Sequence, residues 1–189
     1  VGLTPFQLGA RDQPLELWFP ERLAMRDVDP RLDTLFAAFE MVASGVTTVQ
    51  HLHSRAPGDS GAVIVQAEAI IGAYVELGMR ASYSFALRDQ NRMIYDADEA
   101  FVASLPEVLR RPTAAYLAGF GLPLADQIAV FHALRSRWAA VPLIGIQIAP
   151  SNLHWLSDSA LESTARMAED TRAPMHMHLL ETPYQAEYA

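Results

Sequence analysis

The run Met175-His176-Met177-His178-Leu179-Leu180-Glu181-Thr182 holds the residue types most able to do chemistry in this chain. Histidines at alternate positions project from one face of a strand, and a carboxylate follows three residues after the second. An imidazole can hold a divalent metal and a neighbouring carboxylate can move protons, the two parts that metal-assisted hydrolysis needs most. One or two imidazoles bind zinc only weakly, so such a site requires further ligands. Plainer roles compete for the same residues. His178 could be an interior histidine satisfied by its neighbours, and Glu181 could cap a following helix, because carboxylates are favoured at helix N-termini. His176 shares the face of His178 but lies deeper, which leaves core hydrogen bonding and metal contact both open.

The elements that must position these groups alternate between helix and strand. Leu32, Leu35, Phe36, Phe39 and Val42 mark one face of a helix ended by Gly45, and residues 46–51 follow as a strand rich in β-branched side chains. A second helix opens at Ser60 and Gly61, carries Val63, Ala67, Ile70, Tyr74 and Leu77 on one stripe, and stops at Gly78. Residues 80–87 form the next strand. A short helix over 99–109 leads to a connection punctuated by Gly119, Gly121 and Pro123. Leu124, Ile128, Phe131 and Trp138 then line a helix that feeds an apolar strand over 141–148. Ser157, or Ser159 with Glu162 as a capping box, starts a helix running to about Asp170, and 174–180 is the last strand. This order implies a parallel sheet with its helices outside.

Five of the six histidines, His51, His53, His154, His176 and His178, fall at or just past the predicted strand ends, and only His132 sits inside a helix. In a barrel of alternating strands and helices the reactive groups gather at that end, where the loops converge. His51 and His53 share a face at the end of their strand, with substrate contact, support of a ligand and a purely structural role all open. Arg88, after the next strand, could grip a carboxylate or carbonyl of a substrate or lie exposed in its loop. Ser151, Asn152 and His154 occupy the loop after the 141–148 strand and are further candidates for substrate contact. Trp155 lines a pocket or packs beneath that loop.

Composition narrows the classes. Of 189 residues, 51% are apolar and 19% charged, which suits one globular domain with a sizeable core. The absence of cysteine excludes disulfides, thiolate metal sites and a cysteine nucleophile. A formal charge of −8 with no basic run argues against nucleic acid or an anionic membrane as partner, and favours a small-molecule substrate. No apolar stretch reaches the length of a membrane span, and a cytoplasmic location is the expectation.

Four segments taken in order resemble the amidohydrolase superfamily. They are Gly45-Val46-Thr47-Thr48-Val49, Gly78-Met79-Arg80-Ala81, the stretch from Ala149 through His154 to Asp158, and His176-Met177-His178-Leu179-Leu180-Glu181-Thr182. The likeness is greatest to the aminohydrolase branch, which holds the S-adenosylhomocysteine, guanine and cytosine deaminases and the triazine chlorohydrolases. The resemblance implies a (β/α)8 TIM-type barrel and one divalent metal, zinc or alternatively iron. It implies His178 as the metal ligand from the fifth strand and Glu181 as the acid/base that handles the protons of water and leaving group. It implies that residues 1–189 are the central portion of a longer barrel, strands two to five of eight, with first-strand ligands and strands six to eight outside the chain. A full barrel takes about 250 residues. All 14 basic residues are arginine, so the carboxylated lysine of two-metal relatives is missing and one metal is the consistent expectation. Where some relatives carry a substrate-contacting histidine after the proline, this chain has Ser151, which leaves the substrate open. Hydrolytic deamination of a purine- or pyrimidine-like heterocycle is implied first. Loss of chloride or an amide nitrogen through the same machinery is the alternative, as is a catalytically incomplete chain. Open sheet edges and an apolar face further imply a homo-oligomer.

Overall fold

The computed structural model describes residues 11, 13–23, 28–54 and 56–189. Its centre is an open, wholly parallel sheet. Strand β1 (Thr48–His53) pairs along its full length with β2 (Arg80–Leu87), and β2 pairs onward with β3 (Ile144–Ile146) and then β4 (Ala149–Pro150). The strands therefore all end on one side, and the segments after them are brought together there.

Helices α1 (Leu15–Leu23), α2 (Pro30–Ala43), α3 (Ser60–Glu76), α4 (Asp98–Ser104), α5 (Glu107–Ala118), α6 (Leu124–Trp138), α7 (Asp158–Thr171) and α8 (Pro183–Tyr188) surround it. Asp29 and Asp59 cap α2 and α3 by accepting from Leu32 N and Ala62 N, each at 2.8 Å. Both helices are followed by glycines in left-handed conformation, Gly45 at φ 87° and Gly78 at φ 67°, which turns the chain at once into a strand. The core lies between the sheet and α3 and α6, where Tyr74, Ile71, Phe131 and Leu134 meet Tyr83, Phe85 and Ile148. Burial of that many large apolar groups, at about 1.5–3 kcal/mol each, is what fixes the face each strand turns to the helices.

Two sequence expectations shift in the structure and one alternative is decided. The first strand sits at Thr48–His53, two residues later than expected. The 99–109 helix breaks at Leu105-Pro106, because a residue before proline is driven out of helical conformation, and a new helix starts at Glu107. Ser157 caps α7 through Ala160 N, so the Ser159/Glu162 box is not the start of that helix. On α2 the apolar residues Leu32, Phe36, Phe39 and Val42 are all exposed, and the helix buries Thr34, Ala37 and Ala38. Small side chains let α2 approach α3 closely.

Among the described residues, the 174–180 segment joins the sheet only through the Ile148–Met175 bridge, with Ile148 N donating to Pro174 O at 3.0 Å and His176 N to Ile148 O at 2.9 Å. Beyond that point the neighbouring strand is Ala149–Pro150. Proline has no N–H to offer a ladder, and the chain leaves the sheet at Ser151. Helix α1 was not anticipated, and α8 is the helix that the capping alternative for Glu181 presumes. No helix among the described residues is long and apolar enough to cross a membrane.

Candidate functional site

The two histidines of β1 turn to the helix side. Pairing sets His51 opposite Tyr83 and His53 opposite Phe85, and this face of β2 is packed against α3 and α6. His51 Nδ1 lies 2.8 Å from the Tyr74 hydroxyl of α3, and His53 Nδ1 lies 3.0 Å from the Tyr83 hydroxyl. Burial, helped by the neighbouring His53, pushes the His51 imidazole down to about 3, so it is neutral at pH 7. Burial likewise pushes the Tyr74 phenol up to about 12 and raises Tyr83 further. His51 and the Tyr74 hydroxyl form a neutral hydrogen-bonded unit under the strand end.

Arg88 ties three strand ends together. Its Nε donates to Ser151 Oγ at 3.3 Å, its Nη2 donates to Ser54 O at 3.2 Å, and its guanidinium stacks 4.0 Å from the Trp155 ring centre. Gln127 of α6 holds its backbone from both sides, accepting from Arg88 N at 3.1 Å and donating to Arg88 O at 2.7 Å. Asp89 accepts from Ser157 N and Oγ at 2.8 and 2.6 Å, which locks the loop after β2 to the start of α7. Among the described residues Arg88 thus contacts protein groups of the site wall.

Glu181 is placed by a network that the sequence did not reveal. Asn152, 1% exposed, donates from Nδ2 to Glu181 Oε2 at 3.1 Å and to Gln185 Oε1 at 2.8 Å. Gln185 donates from Nε2 to the same carboxylate oxygen at 3.2 Å and accepts from Glu181 N at 2.9 Å. The turn that makes this reach is Leu180, whose φ of 54° takes the chain out of extended conformation just before the carboxylate. Thr182 then caps α8 with Pro183 at its first position. Glu181 Oε1 remains 3.8 Å from His178 Nδ1, and both side chains are partly open to solvent. The His176 and His178 rings stand 5.1 Å apart. Burial, then the neighbouring His178, holds the His176 imidazole below its usual value, and its Nδ1 is buried without a partner among the described residues.

His154 belongs to a different corner. It lies in a 3₁₀ turn (Leu153–Trp155), edge-on to Tyr95 at 4.4 Å, and burial followed by the charge of Arg88 pushes it down to about 4. Tyr95 and Thr182 both donate to Glu16 Oε1, the latter at 2.6 Å. Hydrogen bonding from Gln185 could have been suspected from its four-residue offset from Glu181 next to a Thr-Pro helix start. Glu16 gives no local signal, because its contact with Thr182 spans 166 residues of chain.

The structure therefore brings Asn152, His176, His178 and Glu181 into one cluster, sets Arg88, Ser151 and His154 along an adjoining wall, and keeps His51 and His53 on the helix side. Among the described residues, no group of three or more histidine and carboxylate side chains gathers closely enough to hold a metal ion. His178, open to solvent beside a fixed carboxylate, suits one position of a metal site, but the donor set is not completed by these residues.

No family model matches the sequence, and no curated protein matches it. Solved structures do. An adenosine deaminase of Xanthomonas campestris with bound zinc superimposes with a TM-score of 0.64 at 19% identity, covering 93% of this chain and 33% of that one. An atrazine chlorohydrolase of Arthrobacter aurescens, complexed with zinc and atraton, gives 0.63 at 19% identity over 84% of this chain and 31% of its own. An amidohydrolase of Brucella melitensis gives 0.59 at 20% identity over 95% and 39%. The chain spans about a third of the length of these proteins. Over most of its residues, the chain shares the fold of hydrolases of the amidohydrolase superfamily, the group its sequence motifs resemble.

Proposed function

We propose that this chain is the part of a (β/α)8 barrel that supplies strands two to five, in a hydrolase that deaminates a purine- or pyrimidine-like or related heterocycle in the cytoplasm with one bound divalent metal, zinc first. The observation that carries this reading is the placement of Glu181. One carboxylate oxygen is fixed by Asn152 and Gln185, and the other is left facing His178. A helix cap would not need such a cradle.

In this reading His178 holds the metal, His176 stands behind it, and ligands from outside residues 1–189 complete the set. The metal, when bound, makes water a nucleophile at neutral pH. The chain's own residues do the rest. Glu181 takes a proton from the attacking water on Oε1 and returns it to the ring nitrogen or the departing amine, while Asn152 and Gln185, donating to Oε2, keep the carboxylate in one rotamer. Arg88 positions the wall formed by Ser151 and Trp155. Displacement of chloride would use the same groups, and one of the structural neighbours is a chlorohydrolase.

The test is to express the coding region with its flanking sequence, load zinc, and assay ammonia and chloride release from a panel of amino- and chloro-substituted pyrimidines, triazines and purines. Metal-dependent release that vanishes in Glu181→Gln supports the reading, and no release from any member overturns it. Self-association is part of the proposal, because Leu32, Phe36, Phe39 and Val42 leave an apolar face exposed on α2. The purified chain should sediment as a dimer or larger species, and a clean monomer at high concentration contradicts that part.

A further inference from the structure

Between β2 and α6 the chain leaves the sheet, and residues 88–123 form an arm built on α4 and α5. Its feet are fixed. Gln127 of α6 donates from Nε2 to Arg88 O and to Leu122 O, each at 2.7 Å, and Gly58 N donates to Gly119 O at 3.0 Å. Arg92 ties the start of α4 to the end of α5, with its Nη1 2.8 Å from Asp98 Oδ2 and its Nε donating to Phe120 O at 3.1 Å. The two helices therefore meet at this base, and the Leu105-Pro106 turn between them is the far end. α5 packs chiefly on α4 and turns inward Thr113, Tyr116, Leu117 and Phe120. The opposite stripe, Val108, Arg111, Ala115 and Ala118, is open to solvent, with Val108 78% exposed. Of the twelve residues of α5 only Leu117 is buried. A helix of that length is marginal in water without a packed face, so the open stripe is the part of this fold that most lacks cover.

Charge along the arm says what covers it. Arg110 and Arg111 stand near the far end, whereas Asp96 and Glu99 stand at the base. All four are exposed, and none is in an ion pair among the described residues. The chain as a whole carries −8, so a second copy is repelled over most of its surface and attracted where this basic end meets acid. Antiparallel pairing of two arms meets that condition twice. About an axis at Ala115, Arg111 of one copy falls opposite Gly119 of the other, the level at which Arg92 holds the start of α4 and so places Glu99. The alanines between let the two helices approach closely, and Val108 and Leu109 add apolar surface. We infer that the α4–α5 arm pairs antiparallel with the same arm of a second copy of this chain, across a two-fold axis near Ala115, with Arg111 of each copy on Glu99 of the other. The contact is isologous, so exchanging the copies reproduces it. It is separate from the exposed face of α2 and does not depend on the hydrolase reading. A contact between two short helices falls below the roughly 1,200–2,000 Å² of stable interfaces, so the dimer is weak and salt weakens it further.

The experiment is sedimentation velocity of the purified chain over a concentration series at low and at high salt, in the wild type and in four variants. Arg111→Glu and Glu99→Arg each place like charges in both symmetric contacts, and each should raise the dissociation constant by about tenfold. An equimolar mixture of those two variants should dimerise like wild type, because each altered side chain then meets an opposite charge. That rescue also shows that neither substitution acts by unfolding the arm. Ala115→Arg, at the axis, should leave only monomer. Phe39→Glu, on the exposed face of α2, should leave the arm dimer intact. A clean monomer in the wild type, a dimer undiminished by Ala115→Arg, a mixture no tighter than its two components, or a dimer lost in Phe39→Glu would each overturn the inference. Association that is lost in Phe39→Glu and survives Ala115→Arg would keep the α2 contact and remove the arm contact alone. Metal-dependent turnover scores the hydrolase reading separately, and neither result decides the other.

Discussion

The chain carries the same spacing twice, His51-Leu52-His53 and His176-Met177-His178, and uses it in opposite ways. The first pair lies on a strand bonded to its neighbour along six residues, on the face that α3 covers, and each ring meets a tyrosine hydroxyl. The second pair hangs from a single bridge at Met175, its rings have no tyrosine partner among the described residues, and a carboxylate stands 3.8 Å from His178. Alternation along a strand guarantees that two side chains share a face. It does not say which face, and the face decides whether an imidazole is a desolvated packing unit or an accessible base. A third residue settles the matter in each case: Tyr74 arriving from a helix, and Glu181 arriving from a turn.

The sharpest way to break this contrast is to mutate the second cluster in the protein expressed with its flanking sequence. Glu181→Gln keeps shape and removes the proton acceptor, so turnover should fall by about two to four orders of magnitude with metal content unchanged. His178→Ala should lose metal and activity together. Metal analysis by plasma emission beside steady-state rates separates the two, and turnover like wild type in Glu181→Gln would return that residue to helix capping. For the chain of residues 1–189 alone, the expected metal occupancy is low, and one tightly held zinc per chain would show that the ligand assignment is wrong or that two copies complete a site.

The first pair should show itself in acid. His51 has an ordinary value of 6.5 when unfolded and about 3 when folded. Above pH 6.5 neither state is protonated and the difference contributes nothing. As pH falls below 6.5 the unfolded chain takes up a proton that the folded one refuses until about 3, so stability drops by roughly 1.4 kcal/mol per pH unit across that window. Urea unfolding at pH 7, 6, 5 and 4 reads this directly. His51→Gln should start less stable by about 1–3 kcal/mol, because the Tyr74 hydroxyl loses a well-placed partner, but should decline less steeply with acid. Parallel curves for the two proteins would mean that His51 is already solvated.

What the sequence made legible follows the range of the interactions. Strand β2 and helix α3 were readable to within a residue, because Gly78, the apolar stripe from Val63 to Leu77, and the run 80–87 are local signals. The stripe of α2 marks a helix, as the structure has it, but says nothing of what covers that face. Periodicity reports that a helix has an apolar face, not which neighbour is close enough to cover it, and α3 selects the small residues Ala37 and Ala38. His178 and Glu181 stand out by motif as candidates. Their supports were not, since Asn152 reaches Glu181 across 29 residues and Thr182 reaches Glu16 across 166. The reading of 174–180 as a full strand failed for want of a partner, which no residue within that segment encodes.

The smallest expected effect separates the two regions by backbone rather than by side chain. Leu180 precedes Glu181 at φ 54° and is about half exposed, whereas Leu52, between the first two histidines, is in extended β-strand and partly buried. An L-residue in left-handed conformation costs about 1–2 kcal/mol, and glycine removes that cost while adding about 0.5–1 kcal/mol of unfolded-chain entropy. Leu180→Gly should therefore be neutral or stabilising by up to about 1 kcal/mol, with little packing to lose. Leu52→Gly has no strain to relieve and should destabilise by about 1–3 kcal/mol through lost burial and strand entropy. Leu180→Val supplies the control of opposite sign, since a β-branched residue tolerates the left-handed region worse than leucine does, and should lose about 1 kcal/mol. Thermal midpoints of the three variants rank the cases, with the order Leu180→Gly, Leu180→Val, Leu52→Gly from highest to lowest. If Leu180→Gly unfolded earlier than Leu180→Val, the turn that aims Glu181 would not be left-handed in solution, and the cradle formed by Asn152 and Gln185 would have to hold that carboxylate on a differently shaped backbone.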